Sequence, residues 1–405
     1  MIPRRQSGWR VLRLAVSLGA LATAGASGAA APTPVIPLTP LPAQLPDVPW
    51  PTKEWPTGPL PAGVARPALE QSLAVIGKRH ALLGETRAVV IVQGGRLVLE
   101  RYAPGFGPDT PLISWSMAKS ITQAMVGIAV SKGLVDIDRP MGNPRWAKGD
   151  PRAAITWRQW MNMVDGQKFR EIGVFDVTEH DSARMLFGQG RRDVAAYAAA
   201  LPLVHPAGKR WNYNSGGVNL IADALGRVFA PGVTDPTQRR ARMAEVMSRD
   251  LFGPLGMTSA SPQFDAAGTF MGSALVYATA RDYARFGLLY LRDGVWEGRR
   301  LLPPGWVDLA RAGTRAEHGG RYGAGWWIEP APGASVSPEF ASLTSPSAGP
   351  DLFYAQGFQG QLIVVVPSRD LVVVRLGLID DRIGWPPLRE WINALIALFP
   401  KPWPR

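Results

Sequence analysis

The chain has 405 residues, 46% of them hydrophobic, and a formal charge of +12; that is enough apolar material for a large core built in more than one layer. It has no cysteine, which excludes thiol catalysis and cysteine-ligated metals, and its histidines (His80, His180, His205, His318) show no HExxH spacing, which argues against a zinc centre. Its basic residues fall in scattered pairs such as Arg191-Arg192 and Arg299-Arg300, a solvated basic surface rather than the basic stripe with interleaved aromatics of a nucleic-acid reader.

Arg4, Arg5, Arg10 and Arg13 open the chain, a short apolar run follows from Leu14 to Ala22, and small residues come next (Ala24-Gly25-Ala26, Ala29-Ala30-Ala31). This is the layout of a secretory signal peptide over residues 1–31, stopped by Pro32, and it implies a periplasmic or secreted mature protein. Arg4-Arg5 hints at twin-arginine export, although the residues after the pair support it poorly. The body has no run of about eighteen apolar residues, so no membrane span is expected after signal removal. Residues 32–66 are rich in proline (PTPVIPLTPLPAQLPDVPWP, EWPTGPLPAG), an extended tether that either wraps the domain or stays loose.

From Ala68 to Leu83 apolar residues at helical spacing (Leu69, Leu73, Ile76) predict a helix. The segment RAVVIVQGGRLVLERY places two β-rich runs around Gly94-Gly95 and predicts a hairpin. Ser114 to about Phe264 reads as mostly helical. Around Tyr283, ARDYARFGLLYLRDG predicts a helix ending at Gly294. Strands return in GAGWWIEP and in QLIVVVPSRDLVVVRLG, the latter folded at Pro367-Ser368-Arg369-Asp370. A final apolar helix is LREWINALIALF. Strands at both ends with helices between predict one α+β unit, an antiparallel sheet built from both chain ends, flanked by helices and carrying a mainly helical insertion.

Three motifs carry candidate chemistry. In Ser116-Met117-Ala118-Lys119 the i, i+3 spacing puts a hydroxyl beside an amine at a helix start, where backbone N–H groups favour an oxyanion. The very apolar run after Lys119 (Ile121, Met125, Val126, Ile128) implies a buried lysine, able to give up its proton and act as a base. Trp211-Asn212-Tyr213-Asn214-Ser215-Gly216-Gly217 lies between helices. Tyr213 there is either a packing residue or, with its pKa lowered beside a lysine, a proton shuttle, and Asn214 or Ser215 could cap the next helix. Ala355-Gln356-Gly357-Phe358-Gln359-Gly360-Gln361 runs into a strand, and its glycine marks either a close approach, here to substrate, or a bulge.

These motifs, in this order, resemble the class C β-lactamase-like serine hydrolases of the penicillin-recognising fold, over about residues 68–400. The 6-aminohexanoate-dimer (nylon oligomer) hydrolase branch looks closest, from the WPTGPLPAG lead-in and the Gly-x-x-Gly-Gln third motif. TWRQWMNMVDGQKF, LFGPLGMTSA and Arg321 to Trp327 add to the likeness. The resemblance implies a β-lactamase/transpeptidase-like domain over 67–405, with an α/β part at about 67–115 and 265–405 and a helical part at about 116–264. It implies Ser116 as nucleophile, Lys119 as adjacent base, Tyr213 as the second-motif tyrosine, and an oxyanion hole from the N–H groups of Ser116 and Phe358. Gly357, Gln356 and Ser215 would line the substrate site, and no cofactor or metal is implied. The expected substrate is a small ester or amide. A D-amino-acid peptidase, a weak β-lactamase and a non-hydrolytic acylated sensor are the alternatives. Three positions depart from the family: Ala355 replaces the Lys or His that opens the third motif, Ser215 replaces the second-motif Asn, and Asp165-Gly166 replaces Ser-Gly. The first two weaken the case for β-lactam hydrolysis.

Overall fold

The computed structural model describes residues 38–171, 177–313, 321–328 and 348–401. The expected signal peptide at 1–31, His318, part of the segment between Phe169 and Phe187 and most of the Ser- and Pro-rich loop before Phe353 lie outside them.

In chain order, α1 (Arg66–Leu73) leads into β1 (Arg79–His80), β2 (Gly84–Gln93), β3 (Arg96–Tyr102) and a short β4 (Leu112–Ile113). Helices follow: α2 (Ala118–Ser131), α3 (Trp157–Met161), α4 (Asp181–Leu186), α5 (Val194–Ala200), α6 (Ser215–Phe229), α7 (Pro236–Met247) and α8 (Gly253–Leu255). Then come β5 (Ser261–Pro262), β6 (Val276–Ala278), α9 (Ala280–Leu291), the pair β7 (Val295–Trp296) and β8 (Arg299–Arg300), and α10 (Trp306–Arg311). The chain returns to strands with β9 (Trp327–Ile328), β10 (Phe353–Gly357), β11 (Gln361–Val366) and β12 (Leu371–Leu378), and ends on α11 (Trp385–Ala397).

Among the described residues the main sheet has seven strands, all paired antiparallel, in the order β3-β2-β12-β11-β10-β9 with β1 also on β2. Its middle joins the two ends of the chain, with Val90 opposite Val374 and Val92 opposite Val372. The α+β architecture expected from the sequence is therefore what forms. Both faces of the sheet are buried, which explains why its strands read as unbroken apolar runs rather than alternating ones. Val90, Val92, Ile363, Val365, Val372 and Val374 face the helical body, and the residues between them, such as Val89, Ile91, Val364 and Val373, pack under α1 and α11.

The hairpin turns on Gly94 and Gly95, at φ of 60° and 76°, a left-handed pair that glycine adopts without a Cβ penalty. The first helix is shorter than its pattern predicted. It stops at Leu73 rather than Leu83, and Gly77 at φ 79° turns the chain toward β1. Of the GAGWWIEP run, Trp327–Ile328 is strand among the described residues. The helix α9 lies close on the sheet because Gly287 has no Cβ: one built there would stand 2.7 Å from Val372 and 2.8 Å from Ile363.

The described part of the proline-rich segment lies against the domain. An extended chain of this kind makes no internal hydrogen bonds, so its carbonyls need outside donors. Buried arginines supply them: Arg285 donates to Pro51 O, Arg292 to Pro42 O and Arg311 to Thr39 O. Thr57 bridges to Leu97 at the sheet edge. Among the described residues no helix is long and apolar enough to cross a membrane.

Candidate active site

Ser116 sits in a 3₁₀ turn, Trp115–Met117, immediately before α2. The residue before it, Trp115, is held at φ 44°, a left-handed conformation that costs a β-carbon residue roughly 1–2 kcal/mol and often marks a functional turn. As the apolar sequence after it implied, α2 is buried on nearly every side from Ala118 to Ala129.

Lys119 is 2% exposed. Its Nζ is 2.8 Å from Ser116 Oγ and 2.9 Å from the carbonyl oxygen of Ser273. Burial pulls its pKa down to about 8, and the negative charge of Glu171 partly resists that shift. A neutral fraction of amine, already touching the hydroxyl, is thus available near physiological pH.

Tyr213 is also buried, in an aromatic cage. Trp327 stacks on it with ring centroids 5.3 Å apart, and Tyr322 meets it edge-on at 6.0 Å. Here the structure corrects the sequence-based expectation. The phenol is not acidified beside the lysine; its pKa stands well above the ordinary value, because of burial first and then the neighbouring Tyr322 and Glu171, while a hydrogen bond with Ser116 pulls the other way. Tyr213 is therefore a neutral hydroxyl that can pass a proton, not a phenolate.

The next residues of this motif divide their tasks. Asn214 caps α6 by accepting from Gly217 N at 2.9 Å, and its amide donates to Asp165 Oδ1 at 3.0 Å. Asp165 also accepts from Gln167 N at 2.9 Å. The Asp165-Gly166 departure thus ties the turn after α3 to the Tyr213 loop, and Gly166 is obligatory there, since a Cβ would fall 2.1 Å from His205 O. Ser215 does not present a free hydroxyl to a substrate. Its Oγ donates to Glu171 Oε1 at 2.7 Å and its N–H to Glu171 Oε2 at 3.1 Å.

Glu171 is the site residue that sequence reasoning missed. It follows the TWRQWMNMVDGQKF stretch by two residues but belongs to none of the three chemical motifs, and only folding brings it to the N-terminus of α6, where backbone N–H groups favour a carboxylate. Its charge is felt by Lys119, Tyr213 and Tyr322 together.

The third motif forms β10 and the turn after it. Gly357 is a close-approach glycine, but what approaches is backbone rather than substrate: a Cβ would stand 2.2 Å from Ser114 O and 3.1 Å from the Trp115 Cβ. That contact sets the end of β10 against the turn that carries Ser116, with Phe358 next in line. Gln356 is half-buried opposite Leu362, and Ala355 is fully buried opposite Ile363. Trp115 makes edge-on ring contacts with Phe358 at 5.4 Å and with Phe187 at 6.1 Å. Phe358 and Phe187 are 48% and 55% exposed, which gives the mouth of the site an apolar, aromatic side.

The chain is similar to known proteins over most of its length. The family model described as Beta-lactamase matches residues 84–377. The 6-aminohexanoate-dimer hydrolase of Paenarthrobacter ureafaciens is 26% identical over 327 residues, which is 76% of this chain and 75% of that one. Among solved structures, a Bacillus anthracis chain provisionally named a 6-aminohexanoate-dimer hydrolase superposes with a TM-score of 0.63 at 20% identity, covering 86% of this chain and 89% of the other. A class C β-lactamase from Rhodobacter sphaeroides gives a TM-score of 0.53 at 17% identity, covering 82% and 98%. At these identities the two structures share the fold.

Proposed function

The chain belongs to the Beta-lactamase family of serine hydrolases, and from that premise we propose that it cleaves small carboxylic esters or amides through an acyl-enzyme on Ser116. The observation that carries this reading is the 2.8 Å contact between Ser116 Oγ and the Nζ of a buried lysine whose pKa is drawn down to about 8.

Ser116 Oγ attacks the substrate carbonyl as its proton passes to Lys119. The N–H groups of Ser116 and Phe358 hold the resulting oxyanion, a contribution of about 3 kcal/mol per donor. The carbon–oxygen or carbon–nitrogen bond then breaks, and the leaving alcohol or amine takes a proton from Lys119, relayed by the Tyr213 hydroxyl. Water, deprotonated by the same pair, cleaves the acyl-enzyme and restores Ser116. Trp115, Phe187 and Phe358 favour an uncharged, apolar group beside the reacting carbonyl. A substrate carboxylate finds only a buried methyl at Ala355, the position that carries Lys or His in β-lactamases, so β-lactam hydrolysis is the weaker reading. The basic, then apolar, then small-residue order of residues 1–31 supports export as part of this reading.

The test is turnover of p-nitrophenyl acetate and butyrate by purified protein beside Ser116→Ala. Hydrolysis that vanishes in the variant supports the mechanism, and equal hydrolysis in both overturns it. Wild type that becomes acylated, read by intact mass, without turning over indicates a sensor instead.

A further inference from the structure

Among the described residues Arg375 is the one arginine in the largest fully buried side chains, at 0% exposure, and there its guanidinium donates to neutral oxygens rather than to a carboxylate. A buried cation without an ion-pair partner is costly and needs a reason to persist. Burial lowers its pKa to about 9, which still leaves it charged at neutral pH.

The reason lies in what it holds. One arm donates to the carbonyls of Gln359 at 3.2 Å and Gly360 at 2.9 Å. The rest of the guanidinium reaches Leu83 O, Glu85 O and the Thr86 hydroxyl, fixing it to β2 and the turn before it. Two glycines make the slot it occupies. A Cβ at Gly360 would stand 2.6 Å from Nη1, and one at Gly377 would stand 2.8 Å from Nη2.

The turn it grips, Phe358–Gly360, contains a strained residue, Gln359, at φ 60°. The remaining polar groups of that residue and its neighbours are also taken up. Gln359 N donates to the half-buried carboxylate of Asp381 at 3.2 Å, and Asp381 is itself held by Trp385 Nε1 at 2.8 Å. Ile379 N donates to Gln359 O at 3.1 Å. Gln361 Nε2 donates to Phe358 O at 3.1 Å and, across to β12, to Gly377 O at 2.6 Å. These contacts fasten the turn from behind, and none of them takes up the Phe358 N–H. On its other side that peptide is set by the pairing of Gly357 with Gln361.

We propose that Arg375 and Asp381 are positioning residues: by locking the carbonyls and the amide of Gln359 they hold the left-handed turn that aims the Phe358 N–H at the oxyanion. The proposal rests on the Ser116 reading above. An oxyanion donor is useful only if it needs no reorganisation as charge develops, and a left-handed glutamine would relax without such anchors.

The experiment measures ester turnover for wild type, Asp381→Ala, Asp381→Asn, Arg375→Met and Ser116→Ala, each with a thermal melting curve. Asp381→Ala is expected to lower kcat by at least about tenfold with KM within about threefold, the signature of a lost transition-state contact. Asp381→Asn keeps an acceptor for Gln359 N and is expected to restore kcat to within about threefold of wild type. Arg375→Met is expected to lose kcat more severely; if it does not fold, Asp381→Ala decides. A folded Asp381→Ala with wild-type kcat, a loss confined to KM, or an Asp381→Asn no better than the alanine overturns the proposal. Ser116→Ala inactive alongside an unimpaired Asp381→Ala overturns this inference alone, and an active Ser116→Ala overturns it together with the mechanism.

Discussion

The ammonium of Lys119 lies over the face of the Tyr213 ring, 4.7 Å from its centroid. The ring's negative face attracts the charged amine, while the cage that holds the ring also desolvates it. These effects oppose each other, and Glu171 adds to the first. The balance leaves the lysine titrating near 8 and the tyrosine neutral.

If neutral Lys119 is the base, kcat/KM rises with pH through about 8. Below that point it falls by about tenfold per pH unit, because the reactive fraction does. A carboxylate stabilises the protonated amine, so Glu171→Gln, which can still accept from Ser215, shifts this limb to lower pH. A pH–rate profile of both proteins on p-nitrophenyl acetate checks the direction.

Lys119 also sets a stability cost. Its folded pKa lies below its ordinary 10.5, so between about 8 and 10.5 the unfolded chain binds more protons and stability rises with pH. Below about 8 the full destabilisation is present. Lys119→Met is expected to be inactive yet more stable at pH 7, by on the order of 1–3 kcal/mol. The stabilisation should shrink as pH rises toward 10.5. Chemical denaturation at three pH values measures it.

Gly357→Ala places a methyl 2.2 Å from Ser114 O, where backbone rather than a flexible side chain must yield. The Ser116 turn and the Phe358 amide move apart, and kcat/KM is expected to fall by at least about a hundredfold. Far-ultraviolet circular dichroism separates this from unfolding.

Arg292 and Asp370 form an ion pair with side chains 1% and 3% exposed, and Arg292 also donates to Pro42 O and Gln44 Oε1 of the proline-rich segment. Arg292→Met breaks this buried pair by removing one partner, a change that costs about 3–5 kcal/mol. A lowered Tm together with faster proteolysis before Trp50 is expected. An unchanged melting curve contradicts the anchoring role.

The local patterns in the sequence went far. β runs around Gly94-Gly95, the folded pair at Pro367–Asp370 and the helices at α9 and α11 follow from short-range spacing and backbone preference, so they could be read without knowing what packs where. The i, i+3 spacing of Ser116 and Lys119 likewise fixed their meeting, because one helical turn brings them together. Burial of that lysine was legible in the apolar residues that follow it. What spacing could not give was anything that depends on distant chain segments. Glu171 reaches Ser215 across 44 positions. Arg375 reaches Thr86 across 289. The partner of Gly357 is the Ser114 carbonyl, and the pKa of Tyr213 is set by Trp327 and Tyr322 closing over it. Charge and solvation act through space, so the candidate reacting residues could be named from the chain's local order, while their ionisation and the contacts that hold the turns around them were decided by the tertiary structure.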